Sequence, residues 1–96
     1  MRGRLYILAN KRNGTLYVGV TSSLRDRVQQ HKEGLQPGFT SRYGVKRLVY
    51  CEQHSSIAQA IQREANIKHL PRRWKLEPIE QANPEWRDLS EDTHLL

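Results

Sequence analysis

The strongest constraint on this chain is the run RLYILANKRNGTLYVGV, from Arg4 to Val20. Two apolar, aromatic-bearing segments flank KRNG. Asn13-Gly14 is a hairpin signal, because both residues tolerate the positive φ that tight turns demand. Two antiparallel strands are expected, at about residues 4–9 and 15–20. Side chains alternate along a strand, so Tyr6 and Leu8 share one face of the first strand, and Tyr17 and Gly19 one face of the second. A turn of even length puts these two faces on the same side of the hairpin.

Beyond the hairpin, Ser23 followed by Asp26 resembles a capping box opening a helix. Leu24, Val28 and Leu35 form its apolar stripe, Gly34 marks its end, and Arg27 and His31, four apart, lie along the stripe's edge. GLQPGFTSRYG is a loop rich in turn formers, and KRLVYCEQ reads as a third strand. Ser56 with Gln59 caps a second helix running to about Leu70. Pro71 suits the first turn of a third helix, PRRWKLE, which Pro78 is expected to break or kink. NPEWRDLSEDTHLL is a polar, acidic end, expected to be partly loose and to expose NPEWRDL. The expected fold class is α/β of the α+β type: a small three-stranded antiparallel sheet flanked by helices, in the order β-β-α-β-α-α. One domain at residues 1–83 is followed by an acidic C-terminal tail at 84–96.

Ninety-six residues suffice for one small domain with its own core. A single cysteine, Cys51, excludes an intramolecular disulfide and a thiolate metal cluster within one chain. No apolar run has the length of a membrane span, and the start MRGRLYILANKRNG lacks the apolar region of a signal peptide. A cytoplasmic location without a membrane partner is expected. Charge is more informative. Residues 1–76 carry fifteen Lys and Arg against four acids, a balance of +11, whereas residues 77–96 carry one Arg against six acids, a balance of −5. A basic body of this density favours a polyanionic partner, most often nucleic acid.

The second helix holds a local anomaly. Ile57, Ala58, Ala60, Ile61, Ala65 and Ile67 span one broad apolar face at helical spacing, and Glu64 falls inside it. An unpaired carboxylate turned toward a core costs several kcal/mol. Lys68, four residues on, offers a salt bridge in the favourable orientation. The other reading is a metal ligand at the rim of the core, since magnesium keeps several waters and accepts one or two carboxylates where phosphate completes its shell. The residues alone leave both readings open. Tyr6 and Tyr17 have a packing reading, Arg27 a surface-covering one and His31 that of a satisfied helix histidine. Gly19 inside a strand marks the close approach of a ligand or of another part of the chain.

Taken together, LYI (Leu5–Ile7), YVG (Tyr17–Gly19), LRDRVQQH and AIQREANIK resemble the GIY-YIG nuclease family over nearly the whole chain, most closely its short, stand-alone members. Leu5 stands where the first motif is named for glycine, and Pro78 falls in the last helix ahead of Asn83. By position, Tyr6 and Tyr17 match the motif tyrosines, Arg27 the helix arginine, His31 the histidine one turn later and Glu64 the metal-binding carboxylate. Asn83 is a candidate for a later polar position. The resemblance implies Mg2+- or Mn2+-dependent endonucleolytic hydrolysis of phosphodiesters in DNA, with RNA left open. The tyrosine hydroxyls orient or deprotonate water, Arg27 grips phosphate, His31 assists proton transfer or orients a tyrosine, and Glu64 holds the metal.

A chain with no second domain to read sequence is expected to select DNA by structure or through a protein partner, as in repair or recombination. The expected nucleic-acid surface comprises Gly19, Arg25, Lys46, Arg47, Arg63, Lys68, Arg72, Arg73 and Lys75. Trp74 apart, no aromatic series interleaves these cations, so base stacking is expected to contribute little. The competing classes are a non-catalytic nucleic-acid-binding module and a protein-interaction subunit docking through NPEWRDL. Oligomeric state is not legible in the residues.

Overall fold

A computed structural model describes residues 2–34 and 43–91. The elements are strand β1 (Gly3–Ala9), strand β2 (Leu16–Thr21), helix α1 (Leu24–Glu33), strand β3 (Arg47–His54), helix α2 (Ile57–Lys68), helix α3 (Arg72–Ala82) and a 3-10 turn at Leu89–Glu91. The order β-β-α-β-α-α and the α+β class are as the sequence predicts. Leu35, most of the GLQPGFTSRYG loop and residues 92–96 of the tail lie outside the described residues.

The three strands form one antiparallel sheet in the order β2-β1-β3. The hairpin connection is wider than a two-residue turn. Ala9 pairs with Leu16, and a type of turn closed by Gly14 N–H donating to the Lys11 carbonyl (3.0 Å) puts only Asn13 at positive φ, 57°. Asn10 Oδ1 accepts from Thr15 N–H at 2.9 Å, which braces the loop from within. Its length is even, so Tyr6 lies opposite Gly19 and Leu8 opposite Tyr17, all on one face.

The two faces of the sheet bury two separate clusters. Leu5, Ile7, Ala9, Val18 and Val49 meet Ile67 of α2, Ile79 of α3 and Trp86 on one side. Tyr6, Leu8 and Leu48 meet Leu24 and Val28 of α1 and Val45 on the other. Leu5, at the position named for glycine in the family motif, is therefore core.

Capping departs from expectation in α1. Ser23 is the N-cap residue, yet its hydroxyl donates to Asp26 Oδ2 (2.9 Å) and makes no bond to the helix backbone. Thr21 Oγ1 instead accepts from Ser23 N–H at 3.0 Å and fixes the entry. Gly34, left-handed at φ 67°, closes the helix. In α2, Ser56 accepts from Gln59 N–H as predicted (3.2 Å). The broad apolar face of α2 does not bury as a whole: Ala60 and Ile67 turn fully inward, while Ala58 and Ala65 are exposed and Ile61 is 53% exposed. The helix meets β1 along a narrow line, since a Cβ on Gly3 would lie 2.8 Å from the Ile57 Cα.

Pro78 neither breaks nor ends α3, which runs on to Ala82. A proline inside a helix sacrifices one hydrogen bond, at roughly 3 kcal/mol; burial of Ile79 immediately after it and of Trp86 beyond it offsets that cost. The segment after α3 is also unlike the exposed end expected. Trp86 is 0% exposed, at φ 58°, with its carbonyl accepting from Arg47 (3.1 Å). Asp88 accepts from Leu48 N–H (3.2 Å) and from Lys32 Nζ (2.6 Å). NPEWRDL thus packs back against β3, with Pro84, Glu85 and Arg87 left exposed.

Candidate active site

The sheet face under α1 gathers the aromatic candidates. Tyr6 projects from the central strand, Tyr17 from the edge strand β2 and His31 from the last turns of α1, and their ring centroids form a triangle with sides of 5.6, 6.0 and 6.3 Å. Gly19 makes the triangle possible. A Cβ there would lie 2.5 Å from both Cζ and Oη of Tyr6, so the ring occupies the space a side chain would take. Gly19 is itself buried, and this corrects its expected place on the nucleic-acid surface: the close approach it permits is that of Tyr6.

The Tyr6 hydroxyl lies 3.4 Å from His31 Nε2. Burial above all, then Tyr17, pushes the Tyr6 phenol far above its ordinary range; Glu64 pushes it the same way, and Arg27 opposes without reversing the shift. The phenol stays protonated, so Tyr6 does not act as a phenolate base; it can only pass a proton on while taking another. His31 is 4% exposed, and burial, with Arg27 as a second cause, holds its imidazole below the ordinary value. It is neutral at neutral pH and able to accept a proton. Tyr6, Tyr17 and His31 thus meet directly, and the charges of Arg27 from α1 and Glu64 from α2 act on the Tyr6 phenol. Tyr17 is half-buried on this face; at the edge of β2 it also borders a groove of about 330 Å³ on the α2–α3 side of the sheet, lined by Leu16, Val18, Lys68 and Lys75.

Glu64 sits at the rim of the core and not within it. Its side chain is 24% exposed, and Lys68 Nζ lies 3.4 Å from Oε1. A pair this open contributes only a few tenths of a kcal/mol, so Glu64 keeps its capacity to bind a cation. No group of three His, Cys, Asp or Glu among the described residues could hold a metal. A lone carboxylate does not suit zinc, which takes four nitrogen, sulfur or oxygen ligands. It suits a hard divalent cation that keeps most of its waters and takes further oxygens from phosphate. The donor set therefore fits Mg2+ or Mn2+.

The predicted basic surface divides. Arg25, Lys46, Lys68, Arg73 and Lys75 retain exposed or groove-lining cations. Three others have structural work inside the chain. Arg63 grips Glu52 with Nε and Nη2 at 3.1–3.3 Å. Arg72 donates to the Asn13 and Gly14 carbonyls and pins the hairpin tip to α3. Arg47 holds the Trp86 carbonyl. Asn83 is buried, donating to the carbonyls of Val49 (3.2 Å) and Arg87 (2.8 Å) and accepting from Arg87 N–H (3.0 Å). Its amide is spent on locking the C-terminal segment, which corrects its candidacy as a site residue.

Sequence reasoning missed the network around Glu52, where Tyr50, His54 and Arg63 all bond one carboxylate. Burial pushes the Glu52 carboxyl up, but these partners outweigh it and leave it below its ordinary value. The network ties β3 to α2, the helix that presents Glu64. Its only local trace is the alternation Tyr50-Glu52-His54, which puts three polar groups on one face of a strand.

Comparison with known proteins agrees with this geometry. The family model of the GIY-YIG catalytic domain matches residues 2–77. A UPF0213 protein of Oceanobacillus iheyensis is 37% identical over 76 residues, covering 79% of this chain and 87% of that protein. A UPF0213 protein of Staphylococcus haemolyticus is 36% identical over 77 residues, covering 80% and 93%. The solution structure of a UPF0213 protein from Bacillus halodurans superimposes with a TM-score of 0.53 at 31% identity, over 84% of this chain and 85% of that one. The match spans both tyrosine motifs, the α1 pair Arg27 and His31, and Glu64: the chain belongs to the GIY-YIG family, as a small member similar to UPF0213 proteins, and its fold is that of a nuclease-type catalytic domain.

Proposed function

We propose that this protein is a divalent-metal-dependent endonuclease hydrolysing phosphodiester bonds in DNA, selecting its substrate by structure. The observation that carries the reading is the Tyr6–Tyr17–His31 triangle, with the charges of Arg27 and Glu64 acting on its Tyr6 phenol. Tyr17 is the more exposed of the two tyrosines, so it is the one that meets the attacking water. Its oxygen takes the water's proton as its own proton passes to the Tyr6 oxygen, and the Tyr6 proton passes to His31 Nε2. Neutral, buried His31 is the acceptor at the end of that chain. Arg27 holds the phosphoryl oxygens with its planar fork as negative charge grows there. Lys68 and Lys75 receive the flanking phosphates in the groove. Glu64 would hold the metal, whose chemistry is to neutralise the leaving oxygen.

The test is incubation of the purified protein with plasmid, branched and single-stranded DNA, in Mg2+, Mn2+ or EDTA. Metal-dependent cleavage, fastest on one structural class, is expected. Intact DNA of every class at excess protein, in both metals, overturns the reading. The ion pair from Lys68 to Glu64 favours a second reading, a nucleic-acid-binding module without cleavage, in which RNA serves as well as DNA; binding without cleavage marks it. A role in DNA repair or recombination, within the cytoplasm, is part of the same proposal.

A further inference from the structure

A second groove, of about 200 Å³, runs between α2 and α3 and is lined by Arg63, Ile67, Leu70, Trp74, Glu77, Pro78 and Gln81. Its wall is an exposed tryptophan. Trp74 is 48% exposed, with the Arg73 guanidinium 5.2 Å from its ring centroid. Leu70, 39% exposed, lines the same groove, so Leu70 and Trp74 form an exposed apolar strip of the kind that marks a ligand site.

Position relative to the site groove narrows that ligand. Ile67 and Lys68 are consecutive, as are Trp74 and Lys75; the first of each pair lines this groove and the second lines the groove of Tyr17. The two grooves therefore flank the same α2–α3 junction. One offers ammonium groups, and the other an indole face with a carboxylate, Glu77, and an amide, Gln81. A carboxylate repels phosphate but accepts from the exocyclic amino groups of bases, as does an amide oxygen. The surface around the junction is cationic, with Arg72, Arg73 and Lys75 flanking Trp74 in sequence. This charge favours a polyanion over an apolar peptide.

We propose that the groove beside Trp74 stacks an unpaired nucleobase of a strand whose phosphates run through the adjoining groove of Lys68 and Lys75. The inference rests on the nuclease reading and gives it a substrate class: nucleic acid with unpaired bases next to the cleaved bond, such as an overhang, flap or junction. It also revises the expectation that stacking contributes little, because one exposed ring beside the site suffices. Bases in a continuous duplex are already stacked on their neighbours and cannot use it.

The chain's two tryptophans make the test direct, since Trp86 is fully buried and Trp74 is not. The full-length Glu64→Gln protein in EDTA is titrated with a blunt duplex, the same duplex carrying a single-stranded extension, and oligo-dT, while tryptophan emission and affinity are read. Quenching is expected with the extension and with oligo-dT, and not with the blunt duplex. Trp74→Ala in the same background should weaken the two unpaired ligands roughly tenfold and the blunt duplex less than twofold, with Trp74→Phe retaining most of the affinity. Tight binding with unchanged emission, or an equal loss on all three ligands, overturns the stacking groove and leaves the nuclease reading standing. A concentration-dependent dimer that Trp74→Ala abolishes gives the groove to a second copy and also overturns it. Failure to bind any nucleic acid overturns both.

Discussion

Tyr6 and Gly19 face each other across paired strands, and the ring of one fills the volume that the other leaves empty: a Cβ on Gly19 would stand 2.5 Å from the Tyr6 hydroxyl. Gly19→Ala therefore forces the Tyr6 ring off the floor of the site. Overpacking of this kind typically costs about 1–3 kcal/mol. The expected outcome is a lower melting temperature together with cleavage lost well beyond the unfolded fraction, both read on the same preparation. A variant with full activity would show that the triangle tolerates displacement.

On the proposed relay, Tyr17→Phe should lower the cleavage rate roughly 10²-fold with melting temperature nearly preserved, because it removes the hydroxyl that receives the proton of water. Tyr6→Phe should lose a comparable rate and, in addition, about 1 kcal/mol of stability, since it removes the partner of a buried His31 nitrogen. Single-turnover rates and thermal melts separate the two.

Glu64→Gln keeps the side chain's shape and removes the anionic ligand. Cleavage should vanish in Mg2+ and in Mn2+, while affinity for DNA in EDTA stays within about twofold. Wild-type cleavage by this variant would reduce Glu64 to the partner of Lys68.

The depressed pKa of His31 carries a pH signature. The unfolded imidazole takes up its proton near its ordinary pKa of 6.5, the folded one only at lower pH. Below 6.5 the unfolded state binds more protons, so His31's contribution is complete above that value and is lost as pH falls through the folded value. Denaturant unfolding followed from pH 7.5 to 5 should show stability falling, with a smaller fall in His31→Gln. Equal slopes in the two proteins would contradict the assignment.

Arg72 and Arg73 are neighbours with different duties. Arg73→Ala should flatten the salt dependence of DNA affinity by about one unit, for any duplex sequence, because it removes one phosphate contact. Arg72→Ala frees the hairpin tip from α3 and should act first on stability, read by thermal melts and by faster amide exchange at residues 10–15.

Much of this was legible in the chain because it is local. Alternation in RLYILA and TLYVGV, with a loop of even length, puts Tyr6, Tyr17 and Gly19 on one face, and a helical period joins Arg27 to His31 and Glu64 to Lys68. Burial was not legible, because it depends on which stripe of a helix meets which strand. Ile61 has the same apolar chemistry as Ile67, yet only Ile67 reaches the sheet. Pro78 stays helical because Ile79 and Trp86 anchor it, and those contacts lie across the fold. Likewise Arg47, Arg63 and Arg72 look like any surface cations in sequence; their carbonyl and carboxylate partners lie at least eleven residues away. The sequence determined the candidate side chains and their order. Tertiary structure decided which tyrosine is buried, which imidazole stays neutral and which arginines are spent inside the chain, because protonation and pairing are set by desolvation and by neighbours brought from distant positions.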